Sequence, residues 1–226
     1  MQREIAYDPV FDAQEHYRLL LDAMARPGKI NVLPRLLLSV PATPGSASQP
    51  GILTDAAALA GFALLNADVS FYVDGADTDL ATRYLLVNTS ARPVALEEAD
   101  FVFASGMAAA ALPEGMKKGT LPYPEEGATL VLSVGALATE AAGLGAQGDR
   151  AAIGQVQPAG ALAITLQGPG IAGKNTFFVR GLSATLVEAL QQSNMEFPLG
   201  IDMILTDGDG RVACVPRSSR IRWEVL

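Results

Sequence analysis

The chain has 226 residues, half of them apolar and 18% charged, with a formal net charge of −8 and a single cysteine. A mean hydropathy of +0.26 excludes disorder and implies much buried surface, some of it suited to an oligomer or partner interface. The acidic balance argues against a phosphate-backbone footprint, so nucleic acid is not expected as a partner, and one cysteine rules out an intrachain disulfide framework.

No stretch approaches the roughly 18 uninterrupted apolar residues of a spanning helix. The N-terminus lacks the apolar core of a secretory signal. The expectation is a cytoplasmic protein with no membrane segment.

In chain order, the first expected element is a helix capped by Asp12, with Glu15 completing a capping box. Ala13, Tyr17, Leu20, Leu21 and Met24 fall on one face, and Arg26-Pro27-Gly28 ends the helix. A short strand follows at 29–33, then a Pro/Ser/Gly-rich loop at 40–51. Thr54 caps a second helix to about Leu65. A strand is expected at 69–73, a helix at 77–87, and a short extended piece at 101–103. Residues 113–127 read as a long loop carrying Lys117 and Lys118. Strands are expected at 129–134, 161–167 and 177–180, and Ser183 caps a last helix with Leu186, Val187 and Leu190 inward. Residues 201–206 and 212–215 form a hairpin across Asp207-Gly-Asp-Gly, and a final strand spans 221–225. Helices and strands alternate with no domain boundary in between. The pattern predicts one α/β domain over 1–226, with a mixed, mostly parallel sheet flanked by helices.

Chemistry-bearing residues are sparse. His16 is the only histidine, which excludes a multi-histidine metal site within one chain and points to a structural or interface role. Cys214 falls in a predicted strand, where an inert buried thiol is the ordinary outcome. The carboxylates of Asp74-Gly-Ala-Asp-Thr-Asp79 lack EF-hand spacing, and helix capping by Asp77 or Asp79 accounts for them more simply. Gly168-Pro-Gly-Ile-Ala-Gly-Lys174 is not a phosphate loop of the Walker type, and a tight turn between strands explains it. Lys174 lies in a polar segment, whereas a Schiff-base lysine needs desolvation and an anchored cofactor.

Four of the twelve arginines lie between Arg211 and Arg222. Arg217 and Arg220 flank Ser218-Ser219 at the exit of a strand. Guanidinium forks and hydroxyls there suit phosphate or phosphonate oxygens, and equally suit salt bridges to a partner subunit. Asp202, the one charge inside an apolar strand, needs a partner if buried, and an arginine is the leading choice. The candidate ligand-binding residues are therefore Arg217, Arg220 and Asp202. No catalytic residue stands out, and no metal site is expected.

Several segments in order resemble one known family. They are FPLGIDMILT at 197–206 with VACVPRSSRI at 212–221, DAQEH at 12–16, LLDAMARPG at 20–28, YPEEGATLVLSV at 123–134 and LQGPGI at 166–171. They resemble the H subunit of the bacterial carbon–phosphorus lyase core complex, over nearly the whole chain. Departures fall in the loops at 42–50 and 142–149.

The resemblance implies the fold of the large domain of pyridoxal-phosphate-dependent transferases without the cofactor, and a homodimer that joins G, I and J partner subunits. It implies participation in joining methylphosphonate to C1 of the ATP ribose, giving ribose 1-methylphosphonate 5-triphosphate. A later radical step uses an iron–sulfur cluster, which a chain with one cysteine cannot ligate by itself. The expected role is an accessory, structural subunit with no cofactor of its own. The alternative is a direct nucleotide- or phosphonate-binding or catalytic role for the Arg217–Arg220 segment.

Overall fold

The computed structural model describes residues 6–34, 36, 38–41, 51–75, 78–144 and 160–226. In chain order the described elements begin with α1 (Phe11–Ala25), β1 (Asn31–Val32), α2 (Asp55–Leu64), β2 (Ser70–Val73), α3 (Asp79–Thr89), β3 (Arg92–Pro93) and β4 (Phe101–Ser105). There follow α4 (Leu112–Gly115), β5 (Thr129–Ser133), β6 (Ala136–Ala138), β7 (Ala161–Gln167) and β8 (Asn175–Arg180). The chain closes with α5 (Ala184–Ser193), β9 (Asp202–Thr206), β10 (Arg211–Val215) and β11 (Arg220–Val225).

These strands form two sheets. The first has seven strands in the order β1-β10-β9-β5-β4-β2-β3, and the second has four in the order β11-β7-β8-β6. Within the larger sheet β3, β2, β4, β5 and β9 pair parallel, while β10 and β1 add antiparallel at one edge. The smaller sheet is antiparallel throughout. The α/β class and the mixed sheet therefore stand, but the single sheet expected from sequence is corrected to two. Hydrophobic alternation identifies a strand and its buried face without naming its neighbour. That is why β7, β8 and β11 were assignable as strands but not to a sheet of their own.

The large sheet is the middle layer. Its parallel strands are apolar on both faces because both are covered. On one face Phe103, Val131, Ile204 and Val212 pack against Leu20 and Ala23 of α1, Ala57–Ala60 of α2, and Tyr84 and Leu85 of α3. On the other face Leu130, Leu132, Met203 and Leu205 meet Ile164, Leu166, Phe177 and Val179 of the small sheet, with Leu186, Val187 and Leu190 of α5. One core cluster thus joins both sheets. Helix α2 is apolar nearly all round and is correspondingly buried from Ala56 to Phe62.

The caps expected at Thr54 and Ser183 are present, accepting from the N–H of Ala57 at 3.2 Å and of Leu186 at 3.4 Å. Helix α1 differs from expectation. Asp12 lies inside its first turn and not at its cap, and the Asp8 carboxylate just ahead of the helix accepts from Val10 N at 2.8 Å and Phe11 N at 2.9 Å. Asp12 instead accepts from Asp8 N at 2.7 Å. The bonds from Phe11 and Val10 hold the Asp8 carboxyl below its usual pKa.

The buried face of α1 is also turned. His16, Leu20 and Ala23 point inward, while Tyr17 and Leu21 are exposed. His16 can sit inside because its Nε2 lies 3.1 Å from the Pro34 carbonyl and its ring stacks on Tyr7. A polar side chain with a local partner competes successfully for a core position, and periodicity alone does not reveal it.

Short elements escaped the sequence as well. Residues 113–127 hold the end of α4 and a bridge between Lys118 and Gly127, while β3 and β6 are only two and three residues long. The variable loop at 42–50, most of that at 142–149 and the proposed cap Asp77 lie outside the described residues.

Candidate functional site

The turn from β10 to β11, Pro216-Arg217-Ser218-Ser219, puts two differently used cationic groups side by side. It is closed by the Ser219 N–H donating to the Pro216 carbonyl at 2.9 Å. Arg217 folds inward. Its backbone N–H donates to Asp202 Oδ1 at 2.7 Å, and its Nε and Nη2 donate to Asp202 Oδ2 at 3.1 and 2.5 Å. Nη1 reaches the Pro124 carbonyl at 2.8 Å, and Nη2 also reaches the Gly127 carbonyl at 3.2 Å.

Every guanidinium nitrogen is therefore engaged, and the side chain is only 13% exposed. Arg217 is the arginine that Asp202 was expected to need. The two neutralise one another and tie the start of β9, the β10–β11 turn and the 124–127 segment together. Gly127 is part of the fit: a Cβ there would stand 2.1 Å from Arg217 Nη1 and 2.5 Å from the Gly200 carbonyl. Gly200 N donates to the Lys118 carbonyl at 2.9 Å, and the Asn194 side chain bridges both backbone groups of Ile201.

Arg220 faces outward. It begins β11, an edge strand, opposite Gln167 of β7. Arg222 lies two residues on and opposite Thr165, so both arginines share the face away from the core, while Ile221 between them is buried. Neither makes an ion pair among the described residues. They line a cleft of about 410 Å³ together with Gln167, Gln191, Asn194, Ser219 and their neighbours. Gln191 of α5 donates to the Ile221 carbonyl, which fixes one wall of the cleft against the edge strand. The Ser219 hydroxyl is buried without a hydrogen-bond partner among the described residues. Of the three candidates read from sequence, Arg220 alone keeps an unengaged charged group. Arg222, Gln167, Gln191 and Ser219 are additions that only strand pairing and helix packing bring to it.

The remaining chemistry-bearing residues offer no catalytic constellation among the described residues. Cys214 is buried in β10, its Sγ 3.8 Å from the Leu20 carbonyl, and burial followed by the Asp202 charge pushes its thiol pKa up. Asp207, also buried, accepts from the N–H of Leu137, Asp209 and Arg211 and organises the β9–β10 turn. Burial raises the Asp74 carboxyl, and no group of three or more metal-ligating side chains is present among the described residues.

The Gly168 segment is a turn between β7 and β8. Gly170 lies against the Ala25 carbonyl so closely that a Cβ would come within 2.2 Å of it. Lys174 is exposed at the head of β8, not desolvated as a Schiff-base lysine would be. No helix among the described residues is long and apolar enough to cross a membrane.

Comparison with known proteins agrees with this end-to-end organisation. The chain is 29% identical over 219 residues to the alpha-D-ribose 1-methylphosphonate 5-triphosphate synthase subunit PhnH of Rhizobium meliloti (strain 1021), covering 96% of this chain and 94% of that protein. It is also 30% identical over 130 residues to the putative C-P lyase subunit protein HtxG of Stutzerimonas stutzeri, covering 58% of this chain and 54% of that one. The family model described as bacterial phosphonate metabolism protein (PhnH) matches residues 6–222, and the chain belongs to that family.

Proposed function

We propose that this chain is a structural subunit of the bacterial carbon–phosphorus lyase complex, acting in alkylphosphonate catabolism. The observation that carries this reading is the end-to-end similarity to a relative named as a synthase subunit. Its partners are a second copy of itself and the G, I and J subunits. It works in the cytoplasm as one domain over 1–226, of the pyridoxal-phosphate-transferase large-domain type, and holds no cofactor. The chemistry of forming ribose 1-methylphosphonate 5-triphosphate from ATP and methylphosphonate belongs to the assembled complex.

Two features support a role in assembly. His16 and Cys214 are both buried, so neither offers a solvent-facing base or nucleophile. Among the exposed large apolar side chains two groups stand out: Tyr17 and Leu21 one turn apart on α1, and Leu121, Tyr123, Met195 and Phe197 on loops braced by Arg217 and the Gly200–Lys118 bond. The helical group suits a self-complementary contact between two copies, and the loop group suits a different subunit.

Co-expression of the tagged chain with untagged G, I and J subunits tests the reading. A stoichiometric complex is expected to elute, and a Leu121→Glu/Phe197→Glu variant is expected to elute without its partners. If the unaltered chain is recovered alone, or converts ATP and methylphosphonate with no partner present, the reading is wrong.

A further inference from the structure

We infer that the cleft beside Arg220 and Arg222 is a binding site for a polyphosphate group, such as the triphosphate tail of a nucleotide. This goes beyond the assembly role and stands on the cleft alone.

In a chain with 24 acidic residues, no carboxylate lines this cleft among the described residues. Its lining is instead two arginines, three amides and a serine, with Met195 and Ile221. Both guanidiniums lack a carboxylate partner among the described residues, in contrast to Arg217 a few residues earlier.

Spacing favours an extended anion over a single small one. Residues two apart on a strand stand about 6.5–7 Å apart on one face. Two guanidinium forks rooted at that separation on the strand can reach different phosphoryl groups of one extended anion. Ser219 also lines the cleft, and its buried hydroxyl has no partner among the described residues, a costly arrangement unless a ligand or water completes it. The Asn194 amide is not available, because Ile201 takes both ends of it.

The electrostatics are local. At physiological ionic strength charges beyond about 8 Å are largely screened, so the net charge of −8 does not decide affinity here. Two opposing features lie close by. Glu224 shares the outward face of β11 two residues past Arg222, and α5 ends at the cleft wall, where a helix C-terminus disfavours anions. Against Glu224 stands Lys174, which lines the adjoining cleft together with Arg222, Thr165, Thr176 and Gln167. The outward face of β11 and its neighbours thus carries three cations and one carboxylate.

Calorimetric titration of the full chain at physiological salt, with inorganic tripolyphosphate as the probe, tests the assignment. Tripolyphosphate should bind, and methylphosphonate and orthophosphate should each bind at least tenfold more weakly. Arg220→Ala/Arg222→Ala should lower tripolyphosphate affinity tenfold or more, with the unliganded melting temperature unchanged. Arg220→Lys/Arg222→Lys, which keeps charge and fold but removes the fork, should fall between the two. Arg92→Ala, at the far edge of the large sheet, should bind as the parent does. Equal affinity in the parent and both double variants overturns the site. So does the absence of tripolyphosphate binding. Methylphosphonate binding as tightly as tripolyphosphate overturns the polyphosphate assignment and gives the cleft to a single phosphonate.

Discussion

Arg217 and Arg220 belong to one turn and one short stretch of sequence, yet the fold uses them in opposite ways. Arg217 is enclosed by Asp202 and the carbonyls of Pro124 and Gly127, with all its nitrogens engaged. Arg220 stands on an edge strand beside Arg222 with no ion pair among the described residues. The difference is one of neighbours. Arg217 meets the first residue of a central strand and a loop that needs anchoring, whereas Arg220 projects from the outer face of an edge strand. The same side-chain chemistry therefore serves stability in one place and is free for recognition in the other.

The sharpest way to break this contrast is to remove each charge and read stability. Arg217→Ala leaves the Asp202 carboxylate in a largely buried position without its guanidinium, and the loop carbonyls without a donor. The expected loss is about 3 kcal/mol, the lower end of what breaking a buried pair costs. For a chain of this size that corresponds to a melting point lower by roughly 6–12 °C. A melting point within 2 °C of the parent would show that the clamp is ornamental. Cys214 reports the same event without calorimetry. Its buried thiol should label only through opening of the structure, so Arg217→Ala should speed its modification by about a hundredfold.

Gly127→Ala approaches the clamp from the other side. The added methyl collides with Arg217 and with the Gly200 carbonyl, and the expected cost is about 1–3 kcal/mol by chemical denaturation. An additional Arg217→Ala change should then be milder than in the parent, because the two residues share one contact. Strict additivity of the two losses would separate them. Arg220→Ala/Arg222→Ala is the counterpart. These side chains are exposed and without an ion pair among the described residues, so denaturant stability should move by less than about 0.5 kcal/mol.

The smallest effect concerns pH. Burial raises the Asp100 carboxyl, but bonds from Lys117 and from the Ser70 hydroxyl and N–H outweigh it and hold the pKa below the usual value. A folded-state pKa below the unfolded one contributes stability above the unfolded value, near pH 4, which is lost as pH falls through the folded value. Asp100→Asn should therefore flatten the acid side of the stability profile below about pH 4 and leave its neutral-to-alkaline side parallel to the parent. An unchanged acid limb would assign that loss to other carboxylates.

Much of this was legible from residue order. Thr54 and Ser183 cap their helices as their sequence context requires, because capping needs only the residues of one turn. The strands at Thr129–Ser133, Ala161–Gln167 and Asp202–Thr206 follow from apolar runs. Asp202 asked for a partner, and an arginine provides it. What was not legible involved distance along the chain. Pro124 and Gly127 lie 93 and 90 residues respectively from Arg217, and nothing local marks their carbonyls as its acceptors. The cleft likewise needs α5 packed beside β11, and Gln167 placed across from Arg220 by strand pairing.

The sequence by itself determined the family, the α/β alternation, the helix caps at Thr54 and Ser183 and the scarcity of catalytic groups. Each of these is a property of residue type, order or short-range spacing. Tertiary structure alone decided that the strands divide into two sheets, that α1 turns Tyr17 and Leu21 outward while His16 goes in, and that Arg217 is spent on the fold while Arg220 and Arg222 are not. Those outcomes depend on which distant backbone and side-chain groups come together when the core closes. Period and propensity constrain that choice without making it.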